Sequence, residues 1–358
     1  MEPICTKVEQ ISIMVKDLDE AIRVFTDEYG IGPWLIANFG TLPGDDAFNN
    51  NSVDLQDVRL HGRYVGNYAA RIGVCDIGDF QIELLQPLDN KSLFSEYIEE
   101  KGIGCQHIAI DSTLPIENMI GRMSKNGYPL SQQAMIDHGK ENCCFVDHME
   151  LLGVHIELHD RPGGFEKPGI DPEFRQVKKG VKPLFTRVNQ LAFVVNDARA
   201  TAKYLADQYG LGPFLMVNFG DCHDGKEFIP VEDAVVDGTE IGTYGVHMAA
   251  CNIGGLQIEL LEPVGEDDVL AKFLKERGPG LHHICVDMAE SYETTVERIH
   301  AAGYTKGQTA FIDNQETCTY TDHLDLLGIF IEIQKRGETF ELPKVIPEFY
   351  PYAPELNH

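Results

Sequence analysis

Asp147-His148-Met149-Glu150-Leu151-Leu152-Gly153-Val154-His155-Ile156-Glu157-Leu158 returns as Asp322-His323-Leu324-Asp325-Leu326-Leu327-Gly328-Ile329-Phe330-Ile331-Glu332-Ile333. Working outward, Gln81-Ile82-Glu83-Leu84-Leu85-Gln86-Pro87 returns as Gln257-Ile258-Glu259-Leu260-Leu261-Glu262-Pro263. Gly30-Ile31-Gly32-Pro33-Trp34 returns as Gly210-Leu211-Gly212-Pro213-Phe214. Matching pieces lie about 175 to 180 residues apart from one end of the chain to the other. Repetition on this scale means duplicated domains, not a short-period solenoid. What recurs includes polar residues inside apolar strands, where folding alone does not ask for them.

The duplication sets the expected organisation. Residues 5–160 form a first domain, 161–184 a linker rich in Gly, Pro and charge, 185–336 a second domain, and 337–358 a tail. The tail carries Pro343, Pro347, Pro351 and Pro354 and is expected to lie extended across a domain surface. Each domain divides again. Val8 to Val15 alternates like a strand, and Asp17-Leu18-Asp19-Glu20 reads as a capping box. Leu18, Ala21, Ile22, Phe25 and Tyr29 then recur at helical spacing until Gly30. Further strands end in Phe80 to Leu85. A second strand, His107 to Ile110, leads into a helix striped by Ile116, Met119, Ile120 and Met123. Strands follow again, to Leu158. In the second domain Asn196 is the expected cap of one helix, and Tyr292, Val296 and Ile299 line the other. The pattern is strand, helix, strands, four times over: an α+β chain of four βαβββ modules.

A chain of 358 residues with 43% apolar and 24% charged residues has the composition of a globular protein with proper cores. No apolar run approaches a membrane span. Met1-Glu2-Pro3-Ile4-Cys5 lacks a basic region followed by an apolar stretch, and the nine cysteines are odd in number with no Cys-x-x-Cys pair. Reduced, buried thiols and a cytoplasmic location are expected. The net charge of -28 argues against nucleic acid, and less strongly against a very anionic ligand such as a coenzyme A ester.

Four positions per half place a coordinating side chain in an otherwise apolar strand: Gln10, Glu83, His107 and Glu157, then Gln190, Glu259, His283 and Glu332. Two fall on the first strand of a module and two on the last. Strand alternation turns each Glu to the face opposite its apolar neighbours. A lone strand Glu usually faces solvent, but eight residues recurring in register with the same identity ask for another reason. One nitrogen and three oxygen donors suit a divalent ion such as Zn, Ni, Co or Mn, with positions left for water or substrate.

Here the chain resembles the vicinal oxygen chelate superfamily, which includes glyoxalase I, methylmalonyl-CoA epimerase, extradiol dioxygenases and bleomycin-resistance proteins. Gln106-His107-Ile108-Ala109, His282-His283-Ile284-Cys285 and the strands ending in the four Glu residues carry the resemblance. It implies paired modules forming two tandem cup-shaped half-barrels, with the eight residues above as metal ligands. The Gln/Glu/His/Glu set is similar to that of glyoxalase I. Methylmalonyl-CoA epimerase has His where this chain has Gln10 and Gln190. An extradiol-type iron site would need His at position 190.

The chemistry such a site supports is proton removal next to a carbonyl, with the cation stabilising the resulting enediolate. Glu157 and Glu332 are the expected bases, with Glu83 and Glu259 as partners on the opposite face. An isomerase or epimerase acting on a small carbonyl substrate leads, ahead of a glyoxalase I-type lyase; a dioxygenase and a ligand-sequestering protein trail. Trp34, Phe214, Tyr68, Tyr244 and His155 are weaker candidates for substrate contacts, each with packing as the plainer alternative. His148 and His323 are expected to structure a turn. A homodimer is the expected assembly.

Overall fold

The computed structural model describes residues 4–160, 170–337, 345 and 347–351. The duplication becomes two curled sheets of twelve strands each. At the centre of the first sheet, Cys5–Met14 pairs in parallel with Phe80–Pro87 and antiparallel with Gly104–Ser112. Gly104–Ser112 pairs in parallel with Val154–Asp160. The order is therefore last, first, first, last strand of two modules. Phe185–Val194, Leu256–Val264, Gly280–Met288 and Ile329–Arg336 repeat it in the second sheet. The end strands of each path are not paired with each other, so each sheet is an open half-barrel and the chain is mixed α+β.

The modules are not self-contained. The hairpin of Leu55–Leu60 and Arg63–Gly66 belongs in sequence to the first module, yet it pairs with Leu130–Ile136 of the second. Val231–Val236 and Thr239–Gly242 do the same with Lys306–Ile312. The hairpin extends each cup on the side away from its own module.

Helix starts depart from expectation in detail. Asp17 accepts from the Glu20 amide, but the Glu20 carboxylate turns to Arg23 and leaves the capping box half made. In the second half the cap is Asp197, which accepts from the Ala200 amide, and not Asn196. Two helices went unread, Leu93–Lys101 and Val269–Arg277, capped by Ser92 and Asp268. They join the modules of each half and pack against the cup.

The expected linker and tail each contribute a strand. Glu173–Arg175 pairs with Trp34–Gly40, and Glu348–Tyr350 pairs with Phe214–Phe219. Phe174 faces Leu35 as Phe349 faces Leu215, so Pro172-Glu173-Phe174 and Pro347-Glu348-Phe349 are one more repeated piece. An exposed sheet edge leaves a row of unpaired amides, and these short strands cover part of it. Residues 161–169 of the expected linker, and Pro343 and Pro354 of the tail, lie outside the described residues.

One large apolar cluster runs through both halves, from Tyr29, Met123 and Leu152 to Tyr209, Ile299 and Leu327. The Asp-His-x-x-Leu-Leu-Gly segment builds this seam. Asp147 and Asp322 accept from the amides of Met149 and Leu324, starting a four-residue helical turn. His148 Nε2 lies 3.0 Å from the Tyr209 hydroxyl of the other half, and His323 Nε2 lies 2.6 Å from that of Tyr29. His148 stacks on Tyr128 and His323 on Tyr304. Burial holds both imidazoles down at about 4, so they are neutral and accept the tyrosine protons. Gly153 and Gly328 end the turns at positive φ, and a Cβ on either would collide with the backbone of Pro279 or Ile103 across the seam. These histidines therefore join halves and do more than shape a turn. No helix among the described residues is long and apolar enough to cross a membrane.

Candidate functional site

The concave face of each sheet is read directly from strand register. In the first half Glu83, Ser12, His107 and His155 lie abreast on four adjacent strands. One pleat further, Gln81, Gln10, Ala109, Glu157 and Phe145 form the next row, and Cys143 and His159 face each other beyond it. Residues two apart share a face, so both rows point into the cup. The corresponding rows in the second half are Glu259, Ala192, His283, Phe330 and Gln257, Gln190, Cys285, Glu332, Tyr320, with Cys318 opposite Gln334.

In the first cup the four expected ligands form a connected set. Gln10 Nε2 lies 3.4 Å from Glu83 Oε2, His107 Nε2 3.6 Å from Glu83 Oε1, and His107 Nε2 3.1 Å from Glu157 Oε2. Gln10 also donates to Gln81, and Ser12 Oγ donates to Glu83 at 2.5 Å. His107 Nδ1 faces Gln106 Oε1 at 2.6 Å, an acceptor only, so Nδ1 carries a proton and Nε2 is turned toward the carboxylates. Phe94 and Phe145 wall the imidazole. The Glu83 side chain is the most open of the three, at 12% exposure against 2% for His107 and 6% for Glu157.

In the second cup His283 Nε2 lies 3.0 Å from Glu332 Oε2, while Gln190 donates to Gln257 at 2.6 Å. Glu259 has no ion-pair partner among the described residues, since Ala192 stands where Ser12 serves Glu83. Glu332 Oε1 accepts instead from Cys318 and Gln334.

Burial raises the Glu83 carboxyl above its ordinary value, with His107 and Ser12 opposing. Burial and the neighbouring Glu332 push Glu259 up to about 8. Glu157 goes the other way: burial would raise it, but His159 and His107 outweigh burial and hold it well below the ordinary carboxylate range. Glu332 is likewise lowered, His283 overcoming its burial. Each cup thus pairs a carboxylate favoured as the acid with one favoured as the anion.

In each cup a histidine–glutamate pair has the spacing of two ligands to a divalent cation, while among the described residues neither Glu83 nor Glu259 closes a three-membered cluster with that pair. Cis ligands about 2.1 Å from one ion stand about 3.0 Å apart, the spacing of His107 and Glu157 and of His283 and Glu332. Gln190 Oε1 is buried without a hydrogen-bond partner, a cost that a coordinated ion would relieve.

The secondary candidates divide. Tyr68 is buried beside Phe94 inside the cup, its hydroxyl proton held by burial and by the nearby Cys143, Glu157 and Glu83. Tyr244 is placed equivalently, toward Cys318, Asp268 and Glu332. His155 Nδ1 lies 3.0 Å from Gln106 Nε2, one residue removed from His107. Trp34 and Phe214 are not in the cups: both are fully buried in the large core, Trp34 against Phe25 with its indole N–H on the Ile31 carbonyl. Their Gly-Pro context positions a core aromatic and lines no ligand space. Sequence reading passed over Ser12, Gln81, Cys143 and Glu141. The pairing of Cys143 with Cys318 across the duplication was the available signal.

The model of the Glyoxalase/Bleomycin resistance protein/Dioxygenase superfamily matches residues 9–146 and again 189–318. The chain belongs to this superfamily, whose members are typically enzymes that act on small molecules. Among curated relatives, mitochondrial methylmalonyl-CoA epimerase of Bos taurus is 36% identical over 58 residues, 14% of this chain and 33% of that protein. The Mus musculus epimerase is 25% identical over 103 residues, 28% of this chain and 46% of its own length. The matches thus span a third to just under half of these relatives. A mutant of 4-hydroxymandelate synthase from Streptomyces coelicolor aligns over 93% of both chains with a TM-score of 0.57 and 14% identity, a likeness of fold.

Proposed function

We propose that the chain is a divalent-metal-dependent isomerase or epimerase that moves a proton on the carbon next to a carbonyl. The observation that carries this reading is the buried histidine–glutamate pair of each cup, His107 with Glu157 and His283 with Glu332, with a further carboxylate, Glu83 or Glu259, in the same row as the histidine. Environments that separate the proton affinities of two acids assign their roles. Glu157 and Glu332, favoured as anions, take the proton. Glu83 and Glu259, once detached from the cation, would return one from the opposite side of the same carbon, which inverts its configuration. Gln106 and His282 hold the histidine rings in place, and Tyr68 and Tyr244 offer hydroxyl donors to a substrate oxygen. A cation held by Gln10, Glu83, His107 and Glu157, or by Gln190, Glu259, His283 and Glu332, supplies Lewis-acid stabilisation of negative charge on the carbonyl oxygen. The similarity to methylmalonyl-CoA epimerases supports an epimerase. The charge of -28 weighs toward a carbonyl substrate less anionic than a coenzyme A ester. A cytoplasmic homodimer remains part of this reading.

Gln at the first ligand position of both cups favours one second reading, a glyoxalase I-type lyase on a thiol adduct of a 2-oxoaldehyde. Incubation of the metal-loaded chain in deuterated water separates the two. An epimerase washes deuterium into the α-position of a chiral 2-substituted acyl thioester and racemises it. A lyase leaves that compound alone and converts the glutathione–methylglyoxal adduct. If neither reaction occurs with bound metal verified, the proton-transfer reading is overturned.

A further inference from the structure

We propose a second cation position in the first cup, formed by Cys143, Glu157 and His159, with Glu157 shared between it and the Gln10–Glu83–His107 set. Among the described residues, these three side chains form the group of His, Cys, Asp and Glu whose ligand atoms all lie within 4.8 Å of one another. Their placement follows from the sheet: Cys143 and His159 are direct cross-strand partners, and Glu157 is two residues before His159 on the same face.

The two oxygens of Glu157 face different neighbours. Oε2 lies 3.1 Å from His107 Nε2 and 3.4 Å from His159 Nε2, while Oε1 faces the Cys143 thiol. A carboxylate has lone pairs enough to serve two ions. His159 is oriented as metal-binding histidines are. Its Nδ1 lies 2.6 Å from Glu141 Oε1, which places a proton on Nδ1 and turns Nε2 toward Glu157, as Gln106 does for His107; an ion would displace any proton on Nε2. A thiolate, an imidazole and a carboxylate together suit a borderline-soft ion such as Zn²⁺. On binding, the ion displaces the Cys143 proton to solvent.

The second cup shows what the same fold does without this site. Gln334 replaces His159 and donates its amide N–H to Glu332 Oε1, satisfying that oxygen internally. Glu316, which corresponds to Glu141, is taken up by Arg336. The position is thus specific to one half; it shares Glu157 with the proton-transfer site and differs from it in His159 and Cys143.

The test is metal content of the full chain loaded with Zn²⁺ and dialysed, for wild type, His159→Gln, Gln334→His and His107→Ala. His159→Gln, which copies the residue of the other cup, should lose one ion per chain. Gln334→His, with its native fold verified by circular dichroism, should gain one. With Co²⁺ in place of Zn²⁺, a thiolate-to-cobalt charge-transfer band should be present and should vanish in Cys143→Ser. Unchanged content in both His159→Gln and Gln334→His, with no such band, overturns this second position. If His107→Ala alone loses an ion, the second position falls and the main site stands; if His159→Gln alone does, the reverse holds.

Discussion

Both cups set a histidine against a glutamate at nearly the same distance, 3.1 Å for His107 and Glu157 and 3.0 Å for His283 and Glu332, yet their surroundings differ. Ser12, His155 and His159 line the first; Ala192, Phe330 and Gln334 replace them in the second. The first cup is polar and charged around its ligands. The second is more apolar, with His282 stacked on Phe330 and Glu259 left without a donor. Gln, Glu, His and Glu persist while their supports change, so the fold does not require those supports. The difference bears on how strongly each cup holds charge, and so on which cup turns over.

The largest effect should come from removing the proton acceptors one at a time. Glu157→Gln and Glu332→Gln should each lower the rate of α-proton exchange by about 10²- to 10⁴-fold in the cup affected. If both cups work equally, each single variant keeps about half of the activity and only the double variant is dead. A single variant that abolishes exchange identifies the one working cup.

Acid and alkali should then destabilise the metal-free protein through different carboxyls of each cup. The lowered carboxyl of Glu157 contributes stability above the ordinary carboxylate range, lost as pH falls through its folded value. Glu259, pushed up to about 8, does the opposite. Between the ordinary carboxylate range and about 8 the unfolded chain holds fewer protons, so stability falls as pH rises. Urea midpoints of chelator-treated protein should decline from pH 5 to about 8, and Glu259→Gln should flatten that decline. A slope unchanged in Glu259→Gln would remove this contrast between the carboxyls.

A smaller effect should follow from breaking the seam. Tyr29→Phe leaves His323 Nε2 buried without its partner, at a cost of about 1–3 kcal/mol, and Tyr209→Phe costs less because the Tyr204 hydroxyl stays 3.4 Å from His148 Nε2. Thermal unfolding should stay a single transition shifted down. Two transitions would mean that the halves melt separately. The smallest change is Ala192→Ser, which gives Glu259 the hydroxyl that Glu83 receives from Ser12. It should lower the proton affinity of Glu259 about tenfold, read as an acid-ward move of the alkaline limb of activity.

Much of this was legible in the chain because duplication supplies its own control. Glu83 and Glu157 stood out as charged residues in apolar strands, and their return at 259 and 332 set them apart from exposed strand glutamates. The central strands were legible for the same reason: period-two alternation survives any topology. Other features depend on which elements meet in space. Trp34 follows Gly-Pro and looked like a pocket wall, but local sequence does not say which face of a curled sheet it joins. Leu93–Lys101 is short, with two buried apolar residues near its start, so no helical stripe announced it. Cys143 reads as an ordinary buried thiol until pairing sets it opposite His159. Pro172-Glu173-Phe174 was lost in a stretch judged by composition, where three residues give no periodicity.

The seam has a consequence for the history of the chain. His148 keeps its hydroxyl partner on a helix of the second half, His323 keeps its own on the first, and Gly153 and Gly328 are small because the opposite backbone presses on them. Each copy has lent part of its interior to its sibling. A gene cut back to one copy would encode a polypeptide with an aromatic socket open to water, obliged to find a twin of itself before it could fold. Once such a loan is made in both directions, the two copies are free to diverge in chemistry but no longer free to part.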